Sequence, residues 1–323
     1  MLKPLVARRF PGGVARLSRR QALLALGGGV LAAAGCGDSR RRSSVTATEV
    51  PLGGDALSLN VIPVGGRFET LQRDAIRVLA PPWVRVTLGL VSDVQAGKPY
   101  VRLAPNALGL VADFQLGSLD AATWPDLLEA TLQRYPEIQR AELLNEPERV
   151  NGLSADRYVQ DFLRPGYEKI RERFPGVAVV AAAPVGDKKQ GPSRFRRLTD
   201  AGADDYCDYR AVHVYFEDDR ALSRIAGSTR RPILVTETGT KVPGQHVRWY
   251  TDVIPRIRAV LGAELVFWYV LLQSAAAAGG TVSYSFSGSS LISGTPNAAG
   301  QPQAASGSGL YALLAGIRAA RSR

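Results

Sequence analysis

From about Leu52 onward, short apolar runs of strand length alternate with longer stretches whose apolar residues recur at helical spacing. Such alternation is the mark of a βα architecture with a parallel sheet. The apolar runs predict eight strands, at Ala56–Ile62, Val84–Gly89, Leu108–Phe114, Gln139–Asn145, Val177–Ala183, Tyr209–Tyr215, Ile233–Glu237 and Leu265–Val270. The clearest helical stretches between and after them are Ala121–Arg134, Ala155–Phe174, Val247–Leu261 and Leu310–Ala320. Ser154 stands where an N-cap would open the second of these. Eight strands with interleaved helices predict a single-domain (β/α)8 barrel, for which about 250 residues suffice. The crossover Val91–Asn106 lacks helical periodicity and contains Gly97, Pro99 and Pro105, so an irregular or very short helix is expected there. Ser274–Ser308, rich in Ala, Gly and Ser, reads as a long loop after the eighth strand rather than as a second domain.

Residues 1–35 have a different pattern. They hold Lys3, Arg8, Arg9, Arg16, Arg19 and Arg20 with no acid, followed by an uncharged apolar stretch from Ala22 to Gly35. That stretch is too short for a membrane span of about 20 residues and suits a signal h-region. Ser18-Arg19-Arg20-Gln21-Ala22-Leu23-Leu24 resembles a twin-arginine export signal, and Ala33-Ala34-Gly35-Cys36 resembles a bacterial lipobox with Cys36 as the lipidated residue. The expected organisation is a signal peptide at 1–35, a polar tether at 36–51 and the barrel at 52–323. The expected location is the exported face of a bacterial envelope, with a lipid anchor to the membrane at Cys36.

The chain carries +11, but the 34 basic and 29 acidic residues outside the signal leave +5, and from Ser43 onward the balance is +3. That is ordinary for a soluble domain, so no nucleic-acid partner is implied. Cys207 is the only cysteine besides Cys36, so an acylated Cys36 leaves no intramolecular disulfide. His213 and His246 are the only histidines, which excludes a multi-histidine metal site. No cofactor is implied, and a monomer is expected.

Two carboxylates carry the candidate chemistry. Glu146, in Leu143-Leu144-Asn145-Glu146-Pro147, and Glu237, in Val235-Thr236-Glu237-Thr238-Gly239, each fall at the carboxyl end of a predicted strand. In a (β/α)8 barrel those ends converge on one face. Two carboxyl groups about 5–5.5 Å apart can act as acid/base and nucleophile in retaining glycoside hydrolysis. Two carboxylates that close are expected to raise the pKa of one, favouring a proton on the acid.

Asn145-Glu146-Pro147, His213-Val214-Tyr215, Thr236-Glu237-Thr238-Gly239 and Trp268, in that order, resemble clan A glycoside hydrolases. These are retaining (β/α)8 enzymes that include many cellulases, mannanases and β-xylosidases, and the resemblance covers roughly residues 52 to 321. It implies Glu146 as acid/base, Glu237 as nucleophile and Asn145 as donor to the sugar 2-hydroxyl. It implies further that Tyr215 donates to Glu237 and that His213 sets the protonation of the acid/base or meets substrate. Trp268 would be the platform beneath the sugar. Arg85, a charge within the apolar Trp83-Val84-Arg85-Val86-Thr87, would pair with Glu237. The implied activity is double-displacement cleavage of a β-linked poly- or oligosaccharide. The alternatives are an inactive glycan-binding lipoprotein and a metal-dependent phosphodiesterase on the same barrel. One departure is Asp113-Phe114-Gln115, where many family members carry a histidine. Trp83, Tyr100, Trp124 and Phe216 are further candidates for subsite aromatics.

Overall fold

The computed structural model describes residues 57–63, 67–89, 98–112, 119–272, 289–292 and 296–321. The expected export segment, the tether with Cys36, Asp113–Gln115 and most of the loop 274–308 lie outside them. The strands are β1 (Ser58–Val61), β2 (Trp83–Gly89), β3 (Asn106–Ala112), β4 (Arg140–Leu143), β5 (Ala178–Ala181), β6 (Tyr209–Val214), β7 (Ile233–Thr238) and β8 (Leu265–Trp268). All pair in parallel with their sequence neighbours, and β8 closes on β1. Closure removes every sheet edge, so the backbone donors and acceptors of the strands are satisfied within the ring. Among the described residues the crossover between β2 and β3 holds the four-residue helix α1 (Lys98–Val101), the very short helix its sequence predicts.

Side chains alternate between two cores. Ala141, Val212, Val235 and Val266 face the helix layer, while Leu108, Val180, Ala211, Leu234 and Phe267 fill the barrel. The period of two residues per strand produces this division. At the amino-terminal floor, Arg140 lies between the Trp83 and Tyr209 rings, 4.5 and 4.2 Å from their centroids, and pairs with Glu264 at 2.5 Å. Trp83 is therefore a floor residue and not a subsite aromatic.

Two long helical runs are interrupted in the same way. Ala155–Tyr158 passes into a π turn at Val159–Leu163 before Arg164–Arg173, and His246–Arg248 passes into one at Trp249–Val253 before Ile254–Leu261. A proline follows each π turn, Pro165 and Pro255. Proline lacks an N–H and crowds the preceding turn, so a wider turn there accommodates it without ending the helix. Ser154 caps the first run, accepting from the Arg157 N–H at 3.2 Å.

Candidate active site

The inward positions form layers from the floor upward. Above the apolar fill sits a buried polar layer that sequence reading largely missed. Arg85 donates from Nε to Glu142 at 2.7 Å, and from Nη1 to Asn60 at 2.8 Å and Glu237 at 2.9 Å. Its Nη2 donates to Asn145 at 3.1 Å. The expected Arg85–Glu237 pair is present, but the guanidinium also serves Glu142, which is fully buried. Burial opposes the Arg85 charge, yet the Glu142 and Glu237 carboxylates outweigh it and its pKa is raised. The signal for Glu142 was available, since it is a charge set between the apolar Ala141 and Leu143 of a strand.

A bulge in β7 brings Glu237 into this layer. Val212 opposes Val235 and His213 opposes Glu237, so Thr236 is the extra residue; β8 shows the same slip, with Val235 opposite Val266 and Thr238 opposite Trp268. Two successive residues of a regular strand point to opposite faces, but across a bulge both can turn inward. Thr236 accordingly donates to Glu142 at 3.3 Å, while its neighbour Glu237 meets Arg85. Thr238 turns outward, donating to the Val214 carbonyl at 2.7 Å and accepting from the Trp249 N–H at 3.1 Å.

Glu146 follows β4 in the left-handed region, with φ +43°, and Leu144 has φ +72°. Non-glycine residues there cost on the order of 1–3 kcal/mol each and gather at functional sites. One imidazole spans the gap between the two candidate carboxylates. His213 Nδ1 lies 2.9 Å from Glu146 Oε1 and Nε2 lies 3.5 Å from Glu237 Oε1. Since a carboxylate only accepts, the Nδ1–H donates to Glu146. Tyr215 donates to Glu237 Oε2 at 2.7 Å, so the expected contact is present. Burial, followed by the Glu237 charge, holds the Tyr215 hydroxyl well above its ordinary pKa and keeps it a donor. Gly186, on the β5 loop, makes room for this arrangement: a Cβ there would stand 2.2 Å from the His213 carbonyl oxygen.

The electrostatics correct one expectation. Burial would raise the Glu146 pKa, but the His213 hydrogen bond and charge, with the Arg149 and Arg85 charges, outweigh it and the net shift is downward. Arg149 Nε sits 3.0 Å from Glu146 Oε2. Burial likewise disfavours the His213 cation, and the charges of Glu237 and Glu146 override it, so the His213 pKa is raised. Both shifts favour the proton on His213 over the carboxyl of Glu146.

Trp268 is the second correction. It is fully buried in the helix layer, 5.0 Å from the His246 ring, with its N–H donated to the Ser289 carbonyl at 2.9 Å. Phe267 points into the barrel, so by alternation the next inward residue is Tyr269. Tyr269 is partly exposed and meets Tyr215 edge-on at 6.4 Å. Burial raises its pKa, and the charges of Glu237 and Glu146 add to the rise. Tyr269, not Trp268, is the ring at the β8 end of the site. The second histidine, His246, is buried against Ser308 and the Thr240 carbonyl, remote from metal-type chemistry.

A cleft of about 450 Å³ adjoins Tyr215, lined also by Gly186, Lys188, Phe216, Glu217 and Trp249. Of the four further aromatics only Phe216 borders it, because Tyr100 and Trp124 are fully buried. A larger hollow of about 680 Å³, bordered by Glu148, Ser154, Arg194 and Arg197, includes neither paired carboxylate among its lining residues.

No protein-family model matches the chain, and no curated protein sequence matches it. The structure is similar to that of a family 39 glycoside hydrolase from the gut symbiont Bacteroides cellulosilyticus WH2, with a TM-score of 0.56 and 13% identity over 81% of this chain. The match spans 63% of that protein's length. It is also similar to the mannohexaose complex of Thermomonospora fusca β-mannanase, with a TM-score of 0.52 and 12% identity, covering 74% of this chain and 82% of that one. Identities this low establish a shared barrel fold.

Proposed function

We propose that the chain is a retaining glycoside hydrolase acting on a β-linked poly- or oligosaccharide, with Glu237 as nucleophile and Glu146 as acid/base. The observation that carries this reading is the single His213 ring in contact with both carboxylates, at the ends of β4 and β7. Glu237 is aimed by two donors on different oxygens, Arg85 and Tyr215, as attack on an anomeric carbon requires. Glu146, held through Oε1 by His213, takes its working proton from solvent on Oε2 and gives it to the leaving oxygen; ionised again, it activates the water that releases the sugar. Tyr269 supplies the apolar face on which the sugar rests, and Asn145, steered by Arg85, meets its 2-hydroxyl. The carbohydrate ligand named for the Thermomonospora protein is consistent with a saccharide in this cleft. A metal ion would have to compete with Arg85, Arg149 and His213 for the same carboxylate oxygens, which disfavours the phosphodiesterase reading. We further propose that the protein is exported and held at the envelope by a lipid on Cys36, which would confine it to exported or envelope polysaccharide.

The test is a panel of aryl β-glycosides and β-linked polysaccharides. Wild type should hydrolyse at least one member, and Glu146→Gln and Glu237→Gln should each abolish turnover of the polysaccharide without loss of folding. Binding without turnover by wild type across the panel would instead support the inactive glycan-binding protein.

A further inference from the structure

Both oxygens of Glu146 are occupied, but by partners of opposite accessibility. Oε1 accepts from His213, which is fully buried, while Oε2 is held by Arg149, whose side chain is 63% exposed. A leaving group cannot reach the buried oxygen, so it must approach Oε2 and dislodge the Arg149 guanidinium. The neighbouring acid offers little refuge. Glu148 already pairs with Arg194 at 3.5 Å and Arg197 at 3.3 Å. The β5 loop beside it adds exposed Lys188 and Lys189, while its one acid, Asp187, pairs with Arg194 at 2.8 Å. Glu148 and Asp187 are thus already engaged by Arg194 and Arg197, and a displaced Arg149 guanidinium goes to solvent unless the substrate supplies an anion.

We propose that Arg149 is a specificity-determining residue that selects leaving groups bearing an anionic substituent, a uronate carboxylate being the simplest case. This rests on the glycosidase reading above. The anion draws Arg149 off Oε2; that oxygen then takes a proton from solvent and passes it to the leaving oxygen, while Oε1 keeps its hydrogen bond from His213. Removing the guanidinium also removes one of the charges that hold Glu146 ionised, so the anionic substituent promotes protonation as well as binding. A neutral leaving group must displace Arg149 without compensation.

The experiment uses three coumarin glycosides of one sugar: the 4-methylumbelliferyl glycoside, its 4-carboxymethyl analogue and the methyl ester of that analogue. The acid should exceed the ester in kcat/KM by about tenfold, the value of one charge-assisted hydrogen bond, with part of the gain in kcat. Arg149→Gln should bring that ratio close to one, and Arg149→Lys should keep part of it. A ratio near one in wild type, or an unchanged ratio in Arg149→Gln, overturns the proposal. If wild type hydrolyses none of the three and no member of the wider panel, the glycosidase reading fails, and binding of acid and ester to the same proteins still tests Arg149. A carboxylate preference that Arg149→Gln abolishes supports its role, and equal binding of acid and ester overturns it.

Discussion

Arg85 joins Glu142 to Glu237 through one guanidinium, with contacts of 2.7 and 2.9 Å, Glu142 being fully buried and Glu237 about a tenth exposed at the site. The nucleophile candidate thus stands on a fully buried ion pair and does not hang from a surface loop. Arg85→Ala should remove activity and destabilise the fold by about 3–5 kcal/mol, because it strands Glu142 in the interior. Glu142→Gln, measured by the same urea titration, should cost less, since the amide oxygen can still accept from Arg85. Equal stability of wild type and Arg85→Ala would contradict the network.

Tyr269 and Trp268 separate by what they change. Tyr269→Ala should lower kcat/KM about tenfold through loss of the sugar platform, leaving the melting temperature nearly unchanged. Trp268→Ala should destabilise by about 3–5 kcal/mol, as removal of a buried indole does. A Tyr269→Ala protein with wild-type kinetics would return the platform role to Trp268.

Most of the architecture was legible because each strand is an apolar run bounded by polar turns. The site was legible where a polar residue broke such a run: Arg85, His213 and Glu237 each mark an inward face. The β8 aromatics were not, since Leu265–Val270 contains no polar residue to fix which neighbour points inward, and Trp268 was read in place of Tyr269. The bulge at Thr236 was also hidden, because pairing register is a property of two strands together. Pro165 and Pro255 were visible in the sequence, but as single residues within helical patterns they did not reveal that π turns would absorb them. The lowered pKa of Glu146 depends on Arg149 and His213 arriving from different elements, which no linear spacing records.

The His213–Glu146 pair gives stability a defined pH dependence. The folded His213 pKa lies above its ordinary 6.5, so its contribution is full below 6.5 and is lost as pH rises through the folded value. The folded Glu146 pKa lies below its ordinary 4.5, so its contribution is full above 4.5 and is lost as pH falls through the folded value. The stability difference between wild type and His213→Gln should therefore peak between those two pH values and shrink on both sides. Urea titrations that give a pH-independent difference would rule out the shared charge.

The proposed anchor is tested at Cys36. Cys36→Ser should release the protein from membranes or stop its maturation, and Arg19→Lys with Arg20→Lys should impair export. Persistent lipid labelling of Cys36→Ser would exclude the lipobox, and unchanged export of the double variant would point to the general secretory route.

As the proposed nucleophile, Glu237 should attack the anomeric carbon and become covalently glycosylated. The direct measurement is peptide mapping by mass spectrometry after incubation with an activated 2-deoxy-2-fluoro β-glycoside of a sugar that the enzyme hydrolyses. One added sugar is expected, on the peptide carrying Glu237, and none in Glu237→Gln. A label on another residue, or turnover of the probe with Glu237 never modified, would contradict it.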